Sequence, residues 1–301
     1  MIPLEKPGYS YSAYGLTIRS ELHLSALTRG SSQPDVDVRR GKVDLPAEAN
    51  DRPMYATPDD IYLSFNDVGR FRISRGSEIV IDAANVDDRI AELFVVGPAL
   101  GALLHQRGLL VLHGSAVVVD DHAVAFLGHS GWGKSTMAAA MVKMGHSSFC
   151  DDLVPVTLCS GTPTALPGYP FLKLAQKSSE ILGYGLPDWT PLLPDDNRCL
   201  IAAGQAHSGK SLPLARIYVL SEGDVLDIEP LKPQAAAVEL IRHSYGSPWV
   251  KKSGMSAPHL QRCAALVRQL PILKLSRPRR LELLQEVAEL VERDARKPLG
   301  D

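Results

Sequence analysis

The segment Gly128-His129-Ser130-Gly131-Trp132-Gly133-Lys134-Ser135 lies between an apolar run, Ala123 to Leu127, and a helix-forming one, Thr136 to Val142. Its G-x-x-x-x-G-K-S pattern could arise by chance as an empty glycine-rich turn, but those flanks supply the strand and the helix that a phosphate loop sits between. The glycines let successive backbone N–H groups turn inward around an anion, where a bulkier backbone would clash. Lys134 can then reach the terminal phosphates as a point charge and Ser135 can offer a hard oxygen to Mg2+. The helix directs its positive end at the same anion. The octapeptide therefore constrains the chain to an α/β fold, and Gly128, His129, Ser130, Gly131, Trp132, Gly133, Lys134, Ser135 and Thr136 form a candidate site for a nucleoside triphosphate with Mg2+.

What precedes the loop narrows the fold further. Leu110 to Val119, then Asp120-Asp121-His122, then Ala123 to Leu127 read as two strands joined by a tight polar turn. A hairpin entering the loop implies antiparallel pairing and a mixed sheet, unlike the parallel βαβ arrangement of a conventional phosphate-loop NTPase. Upstream, short extended runs alternate with turns from Tyr11 to about Ala84, as in Ile61 to Phe65, the turn Asn66 to Gly69, and Arg70 to Ser74. Residues 1–86 are accordingly a smaller β-rich region, and 87–301 the nucleotide-binding domain. Apolar residues keep helical spacing between Asp87 and Gln106, with Pro98 kinking or splitting that helix. The amphipathic spacing from Leu281 to Val291 predicts a helix packed on the sheet.

With 32 basic against 34 acidic residues, the net charge of −2 leaves no electrostatic footprint for nucleic acid or an anionic membrane. The N-terminus has no basic stretch leading into an apolar core, and no segment is long and apolar enough to span a bilayer, so a cytoplasmic protein is expected. Cys150, Cys159, Cys199 and Cys263 form no C-x-x-C pair and read as reduced, mostly buried small hydrophobes.

After the loop helix, Gly145-His146 supplies a stop, and Ser148-Phe149-Cys150-Asp151-Asp152 sets two carboxylates beside another short strand. A helix and a turn beyond the loop, both can return to the nucleotide. One carboxylate would hold Mg2+ with Ser135, and the other would take the proton from an attacking hydroxyl. An Asp-Asp pair alone is more often a surface cap or turn, and the phosphate loop is what favours function. Lys173, Arg198 and Arg242 are candidate cations for phosphate or substrate, with simple solvent exposure the ordinary alternative for each. Trp189 and Trp249 could cover a base or peptide, although large aromatics more often fill a core.

Leu112-His113-Gly114, the 128–135 segment, and Gly145-His146 followed by Asp151-Asp152 resemble, in order and spacing, the catalytic core of the HPr kinase/phosphorylase family over about residues 111–156. The resemblance implies a mixed-sheet kinase core related to PEP carboxykinase, with ATP and Mg2+ as cofactors. It implies Asp151 as general base, Lys134 at the phosphates, Asp152 with Ser135 as magnesium partners, and His113 orienting Asp151. Alone, His113 would be an ordinary hydrogen-bonded strand residue. Thr136 stands where HPr kinases usually carry an acidic residue, and their C-terminal phosphorylase signature is missing, which argues against HPr as acceptor and against dephosphorylation. Tyr11 to Ile18, Pro167 to Lys173 and Leu270 to Arg280 resemble instead the shorter HPr-kinase-like proteins of lasso peptide biosynthesis. That likeness implies phosphorylation of the C-terminal serine of a precursor peptide, with a homo-oligomer left open. The rival readings are a nucleotide-binding regulatory module, a kinase of HPr, another protein or a small molecule, and a conventional NTPase.

Overall fold

The computed structural model describes residues 8–30, 32–49, 52–84, 86–158, 161–169, 171–184, 196–203 and 209–298. The chain divides into two units, residues 1–109 with 246–259, and residues 110–245 with 260–301.

In the first unit, β1 (Tyr9–Ala13), β2 (Leu16–Ser20), β3 (Thr28–Arg29), β4 (Val36–Arg40), β5 (Met54–Ala56), β6 (Asp60–Phe65), β7 (Gly69–Ser74) and β8 (Glu78–Asp82) form one eight-stranded sheet, ordered β3-β1-β2-β4-β8-β7-β6-β5. Alternation builds it: Ile61 and Leu63 of β6 pair with Ile73 and Phe71 of β7 and are buried with them, while their neighbours are not. α1 (Asp88–Phe94) and α2 (Leu100–Gln106) are separated by a wide turn, Val95–Ala99, that contains Pro98. Proline has no N–H to donate and its ring crowds the preceding turn, so the helix widens there. Both helices group with the strands, and the division follows Leu109 where the sequence reading drew it at 86/87.

The second unit contains β9 (Leu110–Val119), β10 (His122–Leu127), α3 (Lys134–Lys143), β11 (Ser147–Thr157), β12 (Thr164–Ala165), β13 (Phe171–Ala175), α4 (Gln176–Ile181), β14 (Arg198–Ala202), β15 (Leu212–Glu222), β16 (Asp227–Pro230) and α5 (Pro233–Arg242). α6 (Ser247–Lys252) belongs to the first unit. α7 (Ser256–Gln269) belongs to the second from Leu260 onward, followed there by β17 (Ile272–Arg277) and α8 (Leu284–Ala295). The sheet is mixed α/β: β10 pairs antiparallel with β9 but parallel with β15, and β15 pairs parallel with β17. Asp120 and Asp121, both at positive φ, make the two-residue turn of the β9–β10 hairpin.

Along β10, Ala123, Ala125 and Leu127 enter one apolar layer with Leu112, Val154 and Leu240, whereas Val124 and Phe126 enter the other with Met137, Tyr218 and Val291. The strand that feeds the loop is thus buried on both faces, with α3 and α8 over the second. Among the described residues no helix is long and apolar enough to cross a membrane. Cys150, Cys199 and Cys263 are buried and in no disulfide among the described residues, and Cys159 lies outside them.

Candidate functional site

β10 ends at Leu127 and α3 begins at Lys134, with the loop between them. Gly133 takes left-handed backbone at φ 83°, and a Cβ there would lie 3.2 Å from Arg277 Nη2. The Lys134 ammonium folds back on its own loop and donates to the carbonyls of Gly128 (3.0 Å) and His129 (3.3 Å). Burial, the largest influence, and Arg198 together pull its pKa down against the upward pull of Asp151 and Asp152. A phosphate oxygen is a stronger acceptor than a carbonyl and would compete with those two for this ammonium.

The two acids lie within β11 against β9, Asp151 opposite Ser115 and Asp152 opposite Gly114. A regular strand sends neighbouring side chains to opposite faces. Asp152, however, has φ 72°, and both carboxylates line one cleft. Asp151 is only 1% exposed; its Oδ1 accepts from Ser115 Oγ (2.5 Å) and Ser135 Oγ (2.9 Å), and its Oδ2 from the Lys173 amide (2.7 Å). Burial raises its pKa despite these donors. Asp152 Oδ2 accepts from Lys173 Nζ (2.8 Å), and Oδ1 lies 3.8 Å from His113 Nδ1. Burial, the largest single influence, pushes the Asp152 carboxyl up as well, but the charge and hydrogen bond of Lys173 together with His113 and Lys134 outweigh it, and the pKa falls below the ordinary value. The resemblance implies the opposite partnering: here Ser135 meets Asp151, and His113 meets Asp152. Register is the reason, because β9 presents the Ser115 hydroxyl to Asp151 and aligns His113 with Leu153, next to Asp152.

Lys173 on β13 and Arg198 on the paired β14 line the same cleft, a cavity of about 190 Å3 with His113, Lys134 and Ser135 in its wall. Arg198 is held by Asp196 through Nε and Nη2, each at 2.8 Å. Thr136 donates to Ser178 Oγ at 3.2 Å. Arg242 is not in the lining; it is exposed at the end of α5 and ion-paired with Glu239 one turn back. Trp249 lies in the first unit, and Trp189 falls outside the described residues. The His113 ring stacks on Tyr245 (centroids 5.6 Å, 10°), and burial pulls its pKa down, leaving it neutral at pH 7.

Ser135 and Asp151 would offer Mg2+ a pair of hard oxygens beside the loop, a set that suits an ion taking few protein ligands. Sequence reasoning missed Ser115, Ser178, Arg277 and Arg279. Ser115 was within reach, because residues i and i+2 of a strand share a face and His113 was already singled out. Arg277 donates to the Trp132 carbonyl (2.5 Å) and Arg279 to that of Gly131 (2.9 Å). Both fall in the Leu270 to Arg280 stretch that carries part of the resemblance, but nothing local there points to a contact with the loop. A larger hollow of about 530 Å3 in the first unit, around the β6–β7 turn, has no phosphate-binding loop.

No family model matches the chain, and no curated protein matches it. Among solved structures, the Hpr(Ser) kinase/phosphatase from Coxiella burnetii is similar over 61% of this chain and 95% of that one, with 11% sequence identity and a TM-score of 0.33.

Proposed function

We propose that the chain is an ATP-dependent phosphotransferase that moves the γ-phosphoryl group to a serine hydroxyl of a peptide. Following the resemblance, the acceptor is the C-terminal serine of a lasso precursor. One observation carries the reading: two adjacent acids share a cleft with the phosphate loop, one of them 2.9 Å from the loop serine. In this reading the loop amides and Lys134 hold the triphosphate, and Ser135 with Asp151 hold Mg2+. Magnesium, when bound, neutralises charge on the β and γ oxygens.

Asp152, which Lys173 keeps ionised, accepts the serine proton as the serine oxygen bonds to Pγ and the bond from Pγ to the bridging oxygen of ADP breaks. His113 orients Asp152. Lys173 and Arg198 face the equatorial oxygens of the moving group, where fixed positive charge stabilises the transition state.

Isothermal calorimetry and a mass-shift assay with labelled ATP test these roles. Asp152→Asn should keep MgATP affinity while transfer falls by about a hundredfold or more. Asp151→Asn should lose most of the magnesium-dependent part of ATP affinity. Retained transfer in Asp152→Asn, with retained magnesium dependence in Asp151→Asn, rejects the assignment. A wild-type protein that binds MgATP but leaves serine-ending peptides unmodified is a nucleotide-binding regulatory module instead.

A further inference from the structure

A loop whose N–H groups converge on an anion must turn its carbonyls outward, and a carbonyl shut away from water without a donor costs about 1–3 kcal/mol. Donors to five of the loop carbonyls can be traced. Gly128 and His129 are served by Lys134, with the Trp132 amide also donating to His129. Gly133 is served by the Met137 amide inside α3. At the tip, the partly buried Trp132 is served by Arg277 from the end of β17, and the exposed Gly131 by Arg279 just beyond it. Neither arginine lines the cleft, so both grip the loop from behind.

Three further features distinguish this grip from a chance surface contact. Arg277 is partly buried, and its Nε has no partner. Its Nη2 stands where a Cβ on Gly133 would come within 3.2 Å, so the glycine permits the approach. The Arg279 guanidinium also lies over the Trp132 ring at 5.8 Å, tying the loop side chain and backbone to one segment. When a triphosphate draws Lys134 away from Gly128 and His129, the two arginines are the side chains still holding loop carbonyls.

We infer that Arg277, assisted by Arg279, is a positioning residue that holds the 131–133 turn with its amides toward the cleft, so that the phosphate cradle exists before any nucleotide arrives. This rests on the nucleotide-binding reading above. The ligand class it serves is the polyphosphate itself, so the base should be irrelevant.

The test measures binding of MgATP and of magnesium tripolyphosphate to the full chain by calorimetry, and amide hydrogen exchange at residues 130–134 without ligand. Arg277→Met should weaken both ligands equally, by about tenfold to a hundredfold, the loss expected for one charge-assisted hydrogen bond. Exchange at the loop tip of the free protein should quicken to a similar degree. Arg277→Lys, which keeps one charged donor, should recover part of both losses, and it decides the matter if the methionine variant does not fold. Arg279→Met, at an exposed position, should show a smaller change of the same kind. Unchanged binding and exchange in both Arg277 variants overturns the inference. So does a loss confined to ATP, because that makes Arg277 a base contact. A wild-type chain that binds neither ligand removes the nucleotide reading, and the inference falls with it.

Discussion

Gly114→Ala probes the site through a single methyl group. Gly114 faces Asp152 across the β9–β11 pair and Leu127 across the β9–β10 pair. A Cβ at this position would lie 2.7 Å from Leu127 Cδ2, 2.7 Å from the Phe126 carbonyl oxygen and 3.3 Å from Val154 Cγ2. The leucine methyl has no free space to enter, since Leu127 is completely buried, and the carbonyl belongs to the strand that feeds the loop. Relief requires β9 and β10 to separate by about half an ångström. Overpacking of this kind costs about 1–3 kcal/mol. A central value of about 2 kcal/mol lowers Tm by roughly 4–8 °C in a unit of this size.

The functional loss should exceed the stability loss, because the displacement falls between the loop strand and the partner of the acid strand. A misplacement approaching 1 Å costs about a hundredfold in rate, so a fall of about tenfold to a hundredfold in transfer is expected. Gly145→Ala is the matched control. Its φ of 101° strains any side chain, yet nothing lies within 4 Å of the new methyl, so it should lower Tm while leaving transfer intact. Differential scanning calorimetry and the transfer assay read the two quantities. Gly114→Ala with wild-type Tm, or with a Tm loss but the transfer rate of Gly145→Ala, refutes the argument.

Two further perturbations test the scaffold. Burial pushes the His243 imidazole down to about 4, with His129, Lys134, Arg242 and His113 acting in the same direction although Glu239 lies 3.2 Å from its Nε2. The folded pKa is below the ordinary 6.5, so between those values the unfolded chain binds more protons; the contribution is complete above pH 6.5 and is lost as pH falls toward 4. His113, also pulled down to about 4, adds to the same window, so urea melts should show about 1–3 kcal/mol from His243 disappearing there and His243→Gln should make the slope shallower without abolishing it; equal slopes in both proteins would remove His243 as a source. Asp294 accepts from Tyr218 Oη (2.6 Å) and lies 3.5 Å from Arg216 Nε, all three buried. Asp294→Ala should cost about 3–5 kcal/mol by leaving the Arg216 charge without its counterion, with MgATP affinity unchanged in the folded protein; a loss under about 1 kcal/mol shows that the carbonyls of Asp294 and Lys297 suffice for that arginine.

The parts of the site that were legible in the sequence are those fixed by near neighbours. The Asp120-Asp121 turn joins adjacent strands, and the loop is an unbroken octapeptide between a strand and a helix. The helix break at Pro98 follows from one missing N–H. Arg242 misled because a cation invites a phosphate, yet Glu239 one turn earlier was already a nearer partner. The choice between Asp151 and Asp152 for Ser135 depends on one positive φ and on the register of two strands more than thirty residues apart, and neither leaves a local signature. Arg277 reaches Trp132 across 145 residues, which only the packing of β15 between β10 and β17 brings about.

The mixed sheet explains why so much turns on β9. Its hairpin partner β10 leads into the 128–135 loop, and its other neighbour β11 carries both acids, so this one strand sets the distance from that loop to the carboxylates. β9 adds its own chemistry within three consecutive residues: His113 beside Asp152, Gly114 admitting the close approach, and Ser115 donating to Asp151. Residues 243–245 continue the β10 side of β9 where β10 itself has ended, with the His113 amide donating to the His243 carbonyl (2.7 Å) and the Tyr245 amide to that of Val111 (2.9 Å). A strand held on both edges and buried on both faces has little freedom to adjust. Substitutions in β9 should therefore disturb transfer more than equally destabilising ones in α8, which packs on the sheet but contributes no residue to the cleft.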